Sequence, residues 1–153
     1  MMTNEILKER ISAIVPDASF EEGGQWLNVL ISSEKWLSVA LELRNNDELL
    51  FDNLFCITAV DWKTHLSMVY HLESAKHNFI VVVKAKIDDR DNPFIDSVSS
   101  IWRTAELNER EAYDLFGIKF NNHPDLRRLF LTDDWVGWPL RKDYEDAVNM
   151  IKL

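Results

Sequence analysis

"LSMVYHLESAKHNFIVVVKAKI", residues 66–87, decides the fold. Two β-rich runs, "LSMVYHLES" and "NFIVVVKAKI", are joined by a short polar link around Ala75 to His77, as in an antiparallel hairpin. A hairpin argues against a purely parallel sheet. A third β-rich run, "LFDNLFCITAVDW", lies just upstream. Further out, "TNEILKERISAI" places Ile6, Leu7, Ile11 and Ile14 at helical spacing behind Thr3 or Asn4 as N-cap, and Pro16 closes the segment. After the turn signal Gly23-Gly24, "QWLNVLIS" alternates Trp26, Asn28 and Leu30 against Leu27, Val29 and Ile31, which is a strand pattern. "SEKWLSVALELRNN" then sets Trp36, Leu37, Ala40, Leu41 and Leu43 near one stripe behind Ser33, a second helix. The order predicts an α+β fold, a two-layer sandwich of helices on a mixed or antiparallel sheet.

At 153 residues and 46% hydrophobic content, the chain is long enough for one domain with its own core. Four Gly and four Pro suggest neither a flexible linker nor a disordered array. A formal net charge of -9 argues against nucleic-acid binding, which needs a basic face to displace counterions. The single Cys56 sits in "LFCITAV", where a buried free thiol is expected, and it supports neither a disulfide frame nor a cysteine metal site. No secretory signal and no run of ~20 apolar residues is visible, so a cytoplasmic location is expected, with membrane contact only through partners.

After "DDRDNP", residues 88–93, the sheet signals stop. "NEREAYDLFG" predicts a helix over 109–116, with Asn108 as N-cap, Glu111 as capping-box acid and Gly117 as the terminating C′ residue. Ala112, Leu115 and Phe116 share a face, and Arg110 and Asp114 are spaced to pair. So short a helix needs packing to persist. Glu109, Glu111 and Asp114 are expected at the cap or on the solvated face, because a catalytic carboxylate set needs pKa values split by burial or repulsion. His123 lies near Asp125, Asp133 and Asp134, but its segment has no second histidine; His65, His71 and His77 fall in or beside the hairpin. It is expected to anchor the turn before Pro124 and not to bind metal. The chain has no GxSxG elbow, Gly-rich phosphate loop or cysteine cluster, so no cofactor of its own is expected.

"HPDLRRLFLTDDWVGWPLRKDYE", residues 123–145, has no clear period. Pro124 and Pro139 restrict its backbone, which lowers the entropy lost on docking. Trp135, Trp138 and Tyr144 offer amphipathic contacts, while Arg127, Arg128 and Arg141 offer forked donors. Composition leaves open whether the ribbon folds back on its own sheet or docks on a partner.

From Glu109 to Glu145 the chain resembles the signature of the 30 kDa subunit family of respiratory complex I, the C subunit of NADH:quinone oxidoreductase. The resemblance rests on "ERE" (Glu109, Arg110, Glu111), "DLFGI" (with Asp114, Phe116 and Gly117), "HPDLRR" (with His123, Pro124, Arg127 and Arg128) and "GWPLRKDY" (with Gly137, Pro139, Leu140, Arg141, Lys142, Asp143 and Tyr144), with Trp135 between the last two. Leu107 and Trp138 stand where the family commonly has Trp and often has His. The resemblance implies an α+β domain over 1–118 and an extended segment over 119–153 that docks on neighbouring subunits through these signature residues. It implies a peripheral-arm subunit on the cytoplasmic side of a bacterial inner membrane, packed against the large quinone-site D subunit and near iron–sulfur subunits. FMN, iron–sulfur clusters and quinone would belong to the complex, which couples electron transfer from NADH to quinone with proton translocation. This chain would hold no catalytic, cofactor or metal residue. Two alternatives are the same module in a related membrane-bound hydrogenase or other donor-dehydrogenase complex, and a free-standing hydrolase using the acidic helix and His123.

Overall fold

Residues 1–151 are described by the computed structural model, so the last two positions of the expected 119–153 segment lie outside the described residues. In chain order the elements are α1 (Asn4–Ile14), β1 (Ser19–Glu21), β2 (Leu27–Ser32), a 3-10 turn (Ser33–Lys35), α2 (Trp36–Asn45), β3 (Asn53–Asp61), β4 (Leu66–Ser74), β5 (Phe79–Ile87), β6 (Phe94–Asp96), α3 (Ala105–Phe116) and β7 (Lys119–Asn121). The first five strands form one sheet in the order β1-β2-β5-β4-β3. In it only β2 and β5 run parallel; the other three neighbouring pairs are antiparallel. The fold is therefore the α+β arrangement expected, with a mixed sheet. The parallel pair arises because α2, β3 and β4 intervene before the chain returns beside β2, and parallel neighbours require such a crossover.

The hairpin of residues 66–87 forms with Leu66 opposite Ile87 and Ser74 opposite Phe79. Strand period two then puts Leu66, Met68, Tyr70 and Leu72 on one face with Val81, Val83 and Ala85, and all are buried. Leu27, Val29 and Ile31 of β2 join them in the core with Leu7 and Ile11 of α1 and Trp36, Val39, Ala40 and Leu43 of α2. Each such large aliphatic side chain contributes about 1.5–3 kcal/mol when removed from water. Trp36 stacks on Tyr70 at 4.1 Å between ring centroids, and Trp102 lies 6.3 Å from Trp36 with its indole N–H donating to the Phe51 carbonyl at 3.0 Å. Thr3 caps α1, its hydroxyl accepting from the Ile6 N–H.

Several expectations are corrected. Cys56 is exposed, because a register shift between Leu54 and Cys56 breaks the alternation of β3. Ser33 does not cap the second helix: the 3-10 turn occupies its place, α2 begins at Trp36, and Val39, not Leu41, lies on the buried stripe. The third helix starts one turn early, at Ala105, so Asn108 lies inside it and donates to the Thr104 carbonyl at 2.9 Å. Sheet structure does not stop at residue 93: β6 and β7 form a parallel pair, with Ile95 beside Phe120. Strands of three residues, such as β1, β6 and β7, are too short to show a period.

Candidate functional site

The signature residues gather where the chain after β7 folds back over the C-terminal end of α3. That end leaves carbonyls without intrahelical partners. Gly117 adopts the left-handed conformation, φ +74°, and its N–H bonds the Tyr113 carbonyl at 2.9 Å, ending the helix as its position suggests. The tail satisfies the next three carbonyls: Arg128 Nη1 donates to Asp114 O at 2.9 Å, the Leu140 N–H to Leu115 O at 3.0 Å, and Arg141 Nε to Phe116 O at 2.6 Å. Two guanidinium groups thus sit at the negative end of the helix dipole.

Asp114 and Arg128 are the hub of this arrangement. Asp114 is fully buried, and one of its oxygens accepts the backbone N–H groups of Leu129, Phe130 and Leu131 at 3.2, 2.7 and 3.1 Å. Its other oxygen lies 3.1 Å from Arg128 Nη1. Burial works against the charge, but the bonds from Phe130, Leu131, Arg128 and Leu129 outweigh it and hold the carboxyl below its ordinary range. Arg128 Nη2 also donates to the carbonyls of Trp135 and Gly137, both at 3.0 Å, and the guanidinium lies 4.5 Å from the Trp138 ring centre. Trp138 lies directly on Gly117; a Cβ there would stand 2.5 Å from Trp138 Cε2. At Gly137, φ +89°, a Cβ would stand 2.9 Å from the Tyr144 ring. Both close approaches require glycine.

Further ties fix the two ends of the tail. Arg110 donates to the carbonyls of Arg127 and Arg128 at 3.2 and 3.0 Å, so the expected Arg110–Asp114 pair does not form. His123 anchors a turn as expected: its Nδ1 accepts the Asp125 N–H at 3.0 Å and its Nε2–H donates to the Glu106 carbonyl at 2.8 Å. Those partners assign the neutral Nε2–H tautomer. At the other end, Asp61 accepts the Lys142 N–H at 2.8 Å and is clasped by Arg90, which also bridges to Asp143 at 3.1 Å. Arg141 donates to the Arg90 carbonyl at 3.1 Å. The Arg90 guanidinium, against a smaller cost of burial, holds the Asp61 carboxyl far below the ordinary range.

Glu109 is neither a cap nor on a solvated face. It is fully buried; Ser97 Oγ donates to it at 2.6 Å and the Val98 N–H at 2.8 Å, tying α3 to the segment after β6. Burial pushes its carboxyl up to about 7 against those two bonds, and His123 Nε2 stands 3.8 Å away. Glu111 is half-buried on α3. Pro124 and Arg127 are exposed, and Arg127 pairs with Asp125 at 2.9 Å; Pro139 and Trp135 are half-buried. Two large apolar side chains that stand out in water beside the hub were not singled out from sequence: Phe130 at 68% and Val136 at 87% exposure. Leu140, a signature residue, is 53% exposed. Phe130 is itself pinned to Asp114 through its N–H, and Val136 lies between the two carbonyls pinned to Arg128. Asp61 and Arg90 were also missed; their only sequence signal was the charged break around Arg90. Among the described residues no group of three or more His, Cys, Asp or Glu is placed to hold a metal ion, and no helix is long and apolar enough to cross a membrane.

Comparison with known proteins places these residues in context. Residues 29–148 match the family described as respiratory-chain NADH dehydrogenase, 30 Kd subunit. The chain is similar to the C/D subunit of NADH-quinone oxidoreductase from Phocaeicola vulgatus, 46% identical over 124 residues that make up 80% of this chain and 24% of that protein. It is also similar to the C subunit of NADH-quinone oxidoreductase from Chloroherpeton thalassium, 37% identical over 94% of this chain and 60% of that protein. For the C subunit from Citrifermentans bemidjiense the identity is 43%, over 90% of this chain and 84% of that one. The chain therefore spans about a quarter of the first relative and 60% of the second. Among solved structures it is similar to a chain of the membrane-bound sulfane sulfur reductase, an archaeal respiratory membrane complex, with TM-score 0.73 and 26% identity over 92% of this chain and 85% of that one.

Proposed function

Because the chain belongs to the family of respiratory-chain NADH dehydrogenase 30 kDa subunits, we propose that it is a non-catalytic assembly subunit in the peripheral arm of a proton-translocating NADH:quinone oxidoreductase. Its principal partner is the quinone-site D subunit, a reading supported by relatives named as C/D subunits, in which both letters fall on one polypeptide. Iron–sulfur subunits are the further neighbours. FMN, the clusters and quinone are held by other subunits, and the chain works on the cytoplasmic side of the bacterial membrane, attached through the complex.

The observation that carries this reading is the Asp114–Arg128 hub. It holds the tail in one conformation and leaves Phe130 and Val136 in water. Exposed apolar tips on a braced backbone bind at low ordering cost. The signature residues then serve docking in two ways: Arg128, Asp114, Gly117 and Arg141 shape the tail, and the tips meet the partner. The test is purification of the tagged chain from native membranes. Recovery of the quinone-site subunit with NADH-oxidising subunits supports the proposal; recovery of the chain alone refutes it.

A second reading is favoured by the likeness to the sulfane sulfur reductase chain: the same scaffold role in a complex served by another electron donor. Companions lacking NADH-oxidising subunits would select it.

A further inference from the structure

Of the two fully buried carboxyls on α3, Asp114 belongs to the hub and Glu109 does not. The surroundings of Glu109 give its proton a way in and out. Its Oε2 lies 2.6 Å from Ser97 Oγ, which lies 2.9 Å from Ser99 Oγ, and Ser99 is half-buried at the surface. These oxygens form a row from the core to solvent. With Glu109 protonated, its O–H can donate to Ser97 and the Ser97 O–H to Ser99; with Glu109 ionised, Ser97 donates to the carboxylate instead. Proton loss therefore proceeds without opening the fold. Glu109 passes its proton to Ser97 Oγ, Ser97 passes its own to Ser99 Oγ, and Ser99 releases one to water, so one proton leaves and each hydroxyl keeps one. Burial lifts the Glu109 carboxyl to about 7, which makes both forms available near neutral pH.

The same oxygen faces His123, whose side chain is fully buried and whose Nε2 stands 3.8 Å away. That ring bridges two elements. Its Nε2–H donates to the Glu106 carbonyl on α3 at 2.8 Å, and its Nδ1 accepts the Asp125 N–H at 3.0 Å, in the turn where the tail leaves β7. A carboxylate draws an N–H about twice as strongly as a neutral carbonyl does. An anionic Glu109 thus outcompetes Glu106, and a shift of about 1 Å brings Nε2 within bonding distance. A protonated Glu109 exerts no such pull. Facing Glu109 from β4 is Tyr70, whose hydroxyl burial keeps neutral. Asp125, paired with Arg127, faces His123 from the tail, and Arg110 is turned to the Arg127 and Arg128 carbonyls. Among the described residues no Lys or Arg pairs with Glu109, so no fixed cation competes with His123 for its charge.

We propose that Glu109 and His123 form a proton-operated latch on the turn from which the tail departs. With Glu109 protonated, His123 is fastened to Glu106 and holds Asp125 in place. With Glu109 ionised, the imidazole moves to the carboxylate and shifts the 123–125 turn with it. The setting of the first tail residues then follows pH through the neutral range.

Nuclear magnetic resonance of the full chain from about pH 5 to about pH 9 tests the latch. The Glu109 carboxyl carbon should titrate with a midpoint of about 7, and the Asp125 amide should shift with the same midpoint. Glu109→Gln should abolish the Asp125 step. A Glu109 midpoint at the ordinary 4.5, or an Asp125 step that persists unchanged in Glu109→Gln, overturns the proposal. Where Glu109→Gln does not fold, the parent chain decides alone: midpoints of the two signals more than about one pH unit apart overturn the latch.

Discussion

Asp114→Ala should release the tail while the sheet stays folded. The substitution leaves Arg128, 9% exposed at its side chain, without its charge partner, and orphans the N–H groups of Leu129, Phe130 and Leu131. Removing one member of a buried ion pair costs about 3–5 kcal/mol. The core of Leu66, Tyr70, Val83 and Trp36 does not include this hub, and the tail keeps its ties from Leu140 to Leu115, Arg141 to Phe116 and Lys142 to Asp61. The cost therefore falls on local opening of residues 128–139. Even the lower figure makes opening more than about 100-fold more frequent. Trypsin reads this directly, because cleavage after Arg128 follows the open population when closing is fast. Cleavage there should accelerate about 100-fold or more, with thermal unfolding of the sheet lowered by only a few degrees. Cleavage within threefold of the parent rate would refute the hub; simultaneous collapse of the sheet would show that it is a global and not a local element.

Three further outcomes are expected. Glu109 holds its proton more tightly folded than unfolded, so its contribution is complete below the ordinary value of 4.5 and is lost as pH rises through about 7. That loss reaches about 3 kcal/mol across the window, so urea midpoints should fall from pH 5 to pH 8 in the parent and stay nearly level in Glu109→Gln; parallel slopes would contradict the assignment. Gly117→Ala puts a Cβ at a positive φ and into Trp138, which should cost more than about 1 kcal/mol and alter the near-ultraviolet tryptophan signal; an unchanged urea midpoint counts against it. Phe130→Ser with Val136→Ser removes only exposed apolar surface, so stability should change by less than about 1 kcal/mol while entry into the assembly drops. Undiminished assembly would show that the tips are not a docking surface.

What could be read from sequence was local. The 66–87 hairpin, the Thr3 cap and the Gly117 helix end each depend on residues close to one another in the chain. Cys56 was misplaced because a bulge between Leu54 and Cys56 leaves no mark in a run that is apolar almost throughout. Glu109 and Asp114 were placed on solvent because helical spacing shows which face a residue occupies, not what arrives there. What arrives is the Ser97–Val98 segment over Glu109 and residues 128–131 over Asp114. The same limit hid Asp61 and Arg90, whose contacts with the tail span 81 and 51 residues. The motifs marked the right region, but whether Arg128 and Trp138 faced a partner or their own helix end required the fold.

The central claim, that this chain is a docking subunit, meets its most direct test in one purification. The tagged chain is isolated from native membranes in mild detergent, and its companions are identified by mass spectrometry. The expected result is the intact chain in a large particle with a quinone-site subunit and iron–sulfur subunits. Elution as a free chain of 17.9 kDa with no such companions would contradict the account.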